Sequence, residues 1–315
     1  GQEDALQKAR EAAVQKEKDT RERLKKLTED ASAIDAQVQA LGAAISQKSQ
    51  ALQQAAGRQQ ATESRLKLLS EMAEAYEGYA QAVRKALTYA KTRGETGVRG
   101  VAAMLMRVPK HLETAVDMVL GGALQHIITE DEHTAKRVID YLRQNQLGRA
   151  TFLPMNTIRG RVLTPRERSL LTMPGCLGVA SELISFDPEY RQIMENLLGR
   201  TVVAEDLDAG IAIMRAGEQA FRLVTLKGDV MHSGGSMTGG SVQARAASLL
   251  GREREIEELK VDAGRLAKEL AAERAALEEL EKERTQRKAL RAEAMDLMHQ
   301  GRSPWPGTRN GPPTP

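Results

Sequence analysis

From Leu24 onward the apolar positions of the chain step by three and four. One series runs Leu24, Ala31, Val38, Ile45, Leu52, Gln59, Leu66, Ala73, and the other Leu27, Ile34, Leu41, Lys48, Ala55, Thr62, Leu69, Tyr76. Thirteen of these sixteen positions are apolar or aromatic. A 3.5-residue spacing keeps one seam facing a partner helix, so a coiled coil is predicted. Before Leu24 only Leu6 and Ala13 continue the pattern, and that stretch is expected to pair weakly. A second seam begins at Ile256, with Ala263, Leu270, Leu277, Arg284, Arg291, Met298 on one series and Leu259, Leu266, Glu273, Leu280, Arg287, Ala294 on the other. Spans 24–76 and 249–300 match in length, about 80 Å each as helices. One intramolecular antiparallel pair is therefore predicted, with pairing to other chains as the alternative. The polar seam residues Lys48, Gln59, Thr62, Glu273, Arg284, Arg287 and Arg291 either fix register or are tolerated solvated sites.

Between the arms the period changes. Pro109 marks a helix start, with Leu112, Val116, Val119 and Leu120 on one face and Gly121 after it. His126–Thr129 reads as a short strand. Asp131 caps a helix carrying Ala135, Val138, Ile139 and Leu142, and Ala150–Leu153 is a second strand. The order then returns: Asp187-Pro188 and a helix to Gly199, strand Thr201–Ala204, a helix from Asp206, strand Phe221–Leu226. Pro109 overlays Pro188, Gly121 overlays Gly199, and Glu130-Asp131 overlays Glu205-Asp206. The expected fold class is an α+β hinge of two similar subdomains, mixed sheets with helices, inserted in a long antiparallel coiled coil. The expected divisions are an arm over 1–90, a junction over 91–97, subdomains over 98–165 and 176–245 with a linker at 166–175, a second arm over 246–300, and a disordered tail over 301–315.

Composition sharpens this division. No proline falls in 1–108 or 189–303, and every aromatic residue except Trp305 lies between Tyr76 and Phe221. Only the middle can therefore hold a conventional core. The tail, GRSPWPGTRNGPPTP, cannot continue a helix. The net charge of +3, from 46 basic and 43 acidic residues, gives no bulk case for nucleic acid; any basic patch must be local. The one cysteine, Cys176, excludes an internal disulfide framework and fits a reducing compartment. No apolar run reaches the roughly 18 residues of a membrane span. The missing initiator Met suggests a fragment, with removal by processing as the alternative.

Candidate chemistry is sparse. The segment 226–241, LKGDVMHSGGSMTGGS, holds Gly234, Gly235, Gly239 and Gly240. Three readings stand: a phosphate cradle, a flexible loop, or a surface where another backbone packs closely. The first lacks the Lys-Ser/Thr that follows the glycines of a P-loop. Gly121-Gly122 is a second such pair. His111, His126, His133, His232 and His299 show no metal spacing and form no ligand set with Cys176, and no G-x-S-x-G elbow occurs. Neither catalysis nor a cofactor is expected. Basic residues cluster where the arms meet the insert: Lys85, Lys91, Arg93 and Arg99 on the way in, Arg245, Arg252 and Arg254 on the way out. If the arms pair, the two sets converge into a surface able to neutralise phosphates. Arg149, Arg159, Arg161, Arg166 and Arg168 form a second basic stretch. Solvated charge is the alternative for both.

Span 97–251 closely resembles the hinge of bacterial structural maintenance of chromosomes (SMC) proteins. The motifs that carry the likeness are GGALQHIITEDEHTAKRVIDYL (121–142), GRATFLP (148–154), LGVASELISFDPEYRQIMENLLG (177–199) and RLVTLKGDVMHSGGSMTGGS (222–241), with SLLGR (248–252) leading into the second coil. The resemblance implies a doughnut-like homodimer in which the first subdomain of one chain meets the second of the other. It places Gly121, Gly122, Gly234, Gly235, Gly239 and Gly240 at or near that contact. It implies a role in chromosome condensation and segregation, a cytoplasmic, nucleoid-associated location, and DNA contact through Lys91, Arg93, Arg99, Arg245 and Arg252. The basic run that often follows the glycine segment is here SVQARAAS, which weakens the DNA inference. ATP, Mg and accessory subunits are expected only at head domains, because no Walker A or signature motif occurs in 1–315. The competing readings are a DNA-binding module in its own right and a ligand-binding α/β domain with helical arms.

Overall fold

The structure, a computed structural model, describes residues 1–242 and 248–301. It divides into two compact units, residues 1–62 with those from 262 onward, and residues 63–261.

In the first unit, helix α1 (Gln2–Glu74) lies antiparallel to helix α10 (Leu249–Gly301). Ala31, Ile45 and Ala55 are buried in the seam with Leu266, Leu270 and Ala294. Two seam-breaking polar residues find each other: Lys48 Nζ lies 2.9 Å from Glu273 Oε2. Arg291 Nε lies 2.5 Å from Asp35 Oδ1. Lys48 and Glu273, both seam positions, meet at one register only, which fits the register-setting use of polar seam residues. Leu24 abuts Gly301. Beyond that point Leu6 and Val14 are exposed, at 70% and 59%.

The first arm, expected over 1–90, is divided in the structure. Helix α1 stops at Glu74, and α2 (Gln81–Arg93) packs on the globular core through Val83, Ala86 and Leu87. The globular unit then repeats one motif. Strand β1 (Val98–Val101), α3 (Ala102–Leu105), β2 (Met106–Arg107), α4 (Glu113–Leu120), β3 (Ile127–Thr129), α5 (Glu132–Gln144) and β4 (Phe152–Pro154) form the first copy. After α6 (Pro165–Arg168) the second copy is β5 (Cys176–Val179), α7 (Ala180–Leu183), β6 (Ser185–Phe186), α8 (Arg191–Leu198), β7 (Thr201–Ala204), α9 (Leu207–Ala216) and β8 (Arg222–Thr225). It is extended by β9 (Val230–Met231) and β10 (Met237–Thr238).

The copies agree in detail. β1 pairs antiparallel with β3 across a bulge at Gly100, and β5 with β7 across a bulge at Gly178. Gly100 and Gly178 have φ of 131° and 130°. In each copy the next pairing is parallel, β3 with β4 and β7 with β8. Asp131 Oδ1 accepts from Thr134 N–H at 2.7 Å and Asp206 Oδ1 from Ala209 N–H at 2.8 Å, so both helices carry the expected aspartate cap. Pro109 matches Asp187 rather than Pro188, since each is the residue before its 3-10 turn.

The sheets run β1-β3-β4 and β10-β9-β8-β7-β5, and a β2–β6 ladder joins the two copies. One core holds residues of both copies, including Val116, Leu120, Ile127, Ile193, Leu198 and Val224. Val202, Leu223 and Met231 alternate to the other face of the larger sheet and pack with Ile213 and Phe221 of a second core. Arg222 ties the copies together, donating to Val119 O at 3.2 Å and Leu197 O at 2.8 Å, the same carbonyl on the matching helices α4 and α8. The linker is ordered: α6 carries a capping box between Thr164 and Glu167, and Leu163, Leu170 and Met173 pack on the second core. The tail expected to be disordered lies, beyond Gly301, outside the described residues.

Candidate functional site

The glycine-rich segment folds as a hairpin. β9 and β10 pair antiparallel, with Met237 opposite Met231 and Thr238 opposite Val230. His232 N–H donates to Ser236 O at 2.8 Å across the turn, and Gly234 N–H to Gln219 O at 3.0 Å. Gly234, Gly235 and Gly240 have φ of 87°, 103° and 131°, a region that side chains with a Cβ avoid. Gly239 is fixed by space instead: a Cβ there would sit 2.4 Å from Asp229 Oδ1. That carboxylate accepts from Gly240 N–H at 3.4 Å and, through Oδ2, from Thr225 Oγ1 at 3.1 Å. The chain's own turn geometry therefore accounts for all four glycines.

What the hairpin leaves open is its outer side. Among the described residues β10 is the edge of the five-stranded sheet, and Met237 is 52% exposed. An edge strand presents unpaired N–H and C=O groups, a template for another chain. Met237 and Thr238 were not legible as site residues, because a two-residue strand has no period to read. Gly121 and Gly122 are exposed in the 3-10 turn that follows α4, and a Cβ on either meets nothing within 4 Å. Gly121 needs its φ of 49°, whereas Gly122 shows no such requirement. Gly199, its counterpart in the second copy, is a packing glycine: a Cβ there would meet Arg161 O.

The basic cluster at the junction separates into two groups. Lys91 and Arg93 are exposed in the last turn of α2, beside exposed Arg84 and Lys85. The Arg93 guanidinium lies 5.7 Å over the Tyr89 ring, which stacks on Tyr141 at 4.1 Å. Arg99 faces Glu189 at 3.7 Å. Lys91 and Arg99 line one groove of about 370 Å³ with Tyr76, Glu95 and Met104. The outgoing group is engaged in the fold. Arg252, expected to meet DNA, is 4% exposed and donates through Nη1 to Glu77 O at 2.7 Å. It is corrected to a structural residue. Arg254 pairs with Glu113 and, at 2.7 Å, with Glu258. Arg245 lies outside the described residues. In the second basic stretch, Arg166 pairs with Glu218 and Arg168 with Glu182.

Among the described residues no group of three or more His, Cys, Asp or Glu side chains is placed to hold a metal. No described helix is long and apolar enough to cross a membrane.

Residues 95–214 match the family model described as the SMC proteins flexible hinge domain. Over 164 residues, 52% of this chain, the sequence is 45% identical to the chromosome partition protein Smc of Bacillus subtilis (strain 168). Over 161 residues it is 45% identical to that of Desulfitobacterium hafniense (strain Y51). The chain spans only 14% and 13% of the length of these two relatives. The crystal structure of an asymmetric dimer of the Geobacillus stearothermophilus SMC hinge domain superposes with a TM-score of 0.72 at 39% identity, covering 78% of this chain and 98% of that one. A likeness at 39% identity that takes in 98% of a solved hinge leaves one assignment: the chain belongs to the SMC hinge family.

Proposed function

We propose that this hinge joins two copies of its chain through the β10 edge of one and the Gly121-Gly122 turn of the other. The observation that carries the reading is the exposed edge strand β10 between positive-φ glycines, where a partner backbone can approach closely. That the similar Geobacillus stearothermophilus hinge is described as a dimer supports pairing as such. The hinge then acts as a joint without chemistry of its own, and chromosome condensation and segregation are the processes proposed for the whole protein. A cytoplasmic, nucleoid-associated location follows from that role. ATP and Mg belong, in this reading, to head domains and not to these residues.

Substituting the positive-φ glycines would strain the hairpin whether or not it pairs. Gly122 avoids this, because a side chain there meets open space. Light scattering on the unsubstituted chain is expected to give twice the chain mass of 34.5 kDa. Gly122→Trp is expected to give the single mass with unchanged circular dichroism. A Gly122→Trp chain that stays paired overturns the assignment.

A second reading is DNA contact at the junction through Lys91, Arg93 and Arg99, with Arg245 outside the described residues. It is supported by the groove that places Lys91 and Arg99 beside the ring of Tyr76. Affinity for duplex DNA is expected to fall steeply with salt and to drop on Lys91→Ala with Arg93→Ala. Binding that ignores both salt and these changes removes the reading.

A further inference from the structure

The break between α1 and α2 has weak local causes. Helix α1 ends in a Schellman motif, with Glu77 N–H donating to Met72 O at 3.0 Å. The left-handed position of that motif, normally glycine, is Tyr76 at φ 52°. At the start of α2 the cap position is Ala80, which has no side chain to cap with. Gly78, at φ 86°, is the one local residue suited to a break.

Contacts from elsewhere supply the rest. Gln125 Oε1 accepts from Ala80 N–H at 2.8 Å. From α10, Leu249 Cδ2 reaches the position a Gly78 Cβ would contact at 3.5 Å. Arg252, also on α10, donates to Glu77 O, with its guanidinium 5.8 Å over the Tyr79 ring. Arg252 Nε and Nη2 are buried and meet no hydrogen-bond partner among the described residues. The guanidinium is held by the Glu77 carbonyl and by Tyr79, both on the turn, so these contacts last only while α10 lies against residues 75–80.

We propose that Arg252 is a latch. By holding the Glu77 carbonyl it keeps α1 and α2 apart, and withdrawal of α10 from the turn lets residues 75–80 join them into one helix. α2 is anchored on the core by Val83, Ala86 and Leu87, so joining would redirect the last turns of α1. The hinge would thereby sense whether its two arms lie together where they enter it. The meaning of this device rests on the chain being a joint, but the tests are separate: that reading fails on mass, this one on distance.

The test uses the full chain with Cys176→Ser and spin labels at Lys67 on α1 and Thr88 on α2. A continuous helix puts these positions roughly 31 Å apart. Arg252→Met is expected to add a population at that distance that the unsubstituted chain lacks. Adding Tyr76→Gly, which makes the left-handed position comfortable, is expected to abolish it, an effect that general destabilisation would not give. Gly78→Ala, incompatible with φ 86° but at home in a helix, is expected to add the same population without touching Arg252. If Arg252→Met fails to fold, Arg252→Gln, too short to reach the Glu77 carbonyl, takes its place. The unsubstituted distance alone in the Arg252 variant that folds overturns the latch, whatever Gly78→Ala shows.

Discussion

Arg200, just past the end of α8, shows how a single side chain fixes the linker. It donates to Glu167 Oε1 at 3.0 Å and Oε2 at 2.8 Å, and also to Val162 O and Ala220 O. Burial alone would raise the Glu167 carboxyl, but the Arg200 and Thr164 hydrogen bonds outweigh it and hold the group below its ordinary range. A carboxyl depressed in the fold adds stability above its unfolded value and loses it as pH falls. Arg200→Met is expected to cost about 2 kcal/mol at neutral pH, since it strands a buried carboxylate, discounted for the partial exposure of Arg200. That deficit should shrink as pH drops below 4.5, the ordinary value for the group. Urea unfolding of both chains across pH 3.5 to about 7 checks it; a deficit that does not change with pH would mean the pair is not the cause. Arg252 and Arg254 teach the converse lesson about reading basic residues. A sequence offers only their charge, and the default for an exposed-looking arginine is solvent. Their carbonyl and carboxylate partners lie 175 and 141 residues away, beyond any local signal.

Among the elements, the arms were legible because a 3.5-residue seam forces a partner and the lengths match. The break at Tyr76 was not, because the seam continues through a tyrosine sitting where a glycine would have announced the end. The repeat was legible from its aspartate caps and its order of elements. The hairpin β9–β10 was not, and its glycines read equally well as a cradle, a loop or a contact. Glycines on helices show the same dependence on surroundings. Gly210 on α9 is buried, and a Cβ there would lie 2.8 Å from Leu223 Cδ2 and 3.3 Å from Met231 Sδ. Gly210→Ala is expected to destabilise the fold by about 1–2 kcal/mol through overpacking. Gly264 on α10 is exposed with nothing within 4 Å. Gly264→Ala is expected to stabilise its helix by about 1 kcal/mol. The two changes should therefore move the denaturation midpoint in opposite directions, and a shared sign would contradict the packing around α9.

For the whole globular unit the two copies of the motif are welded, not merely tethered. They share one core, the β2–β6 ladder and the Arg222 clamp on α4 and α8. Their unsatisfied surfaces differ, however: the second copy ends in the open strand β10, and the first carries the bare Gly121-Gly122 turn. If each surface is the other's partner, two chains related by a two-fold axis close both contacts at once and leave none for a third. Each contact then raises the local concentration of the other, so one can open while the pair holds. This geometry makes a complementation forecast. Gly122→Trp spoils the turn and Met237→Lys the edge strand, so each variant alone loses both contacts and should run as a monomer. Mixed, the intact edge of the first variant can meet the intact turn of the second, restoring one contact of two. The mixture should show a weak, concentration-dependent heterodimer in sedimentation velocity, and its Tm should rise with protein concentration as linkage requires. A contact made between identical surfaces gives the opposite result, since either change would then spoil a partner regardless of mixing. Monomers in the mixture would mean that the turn and the edge strand are not each other's partners.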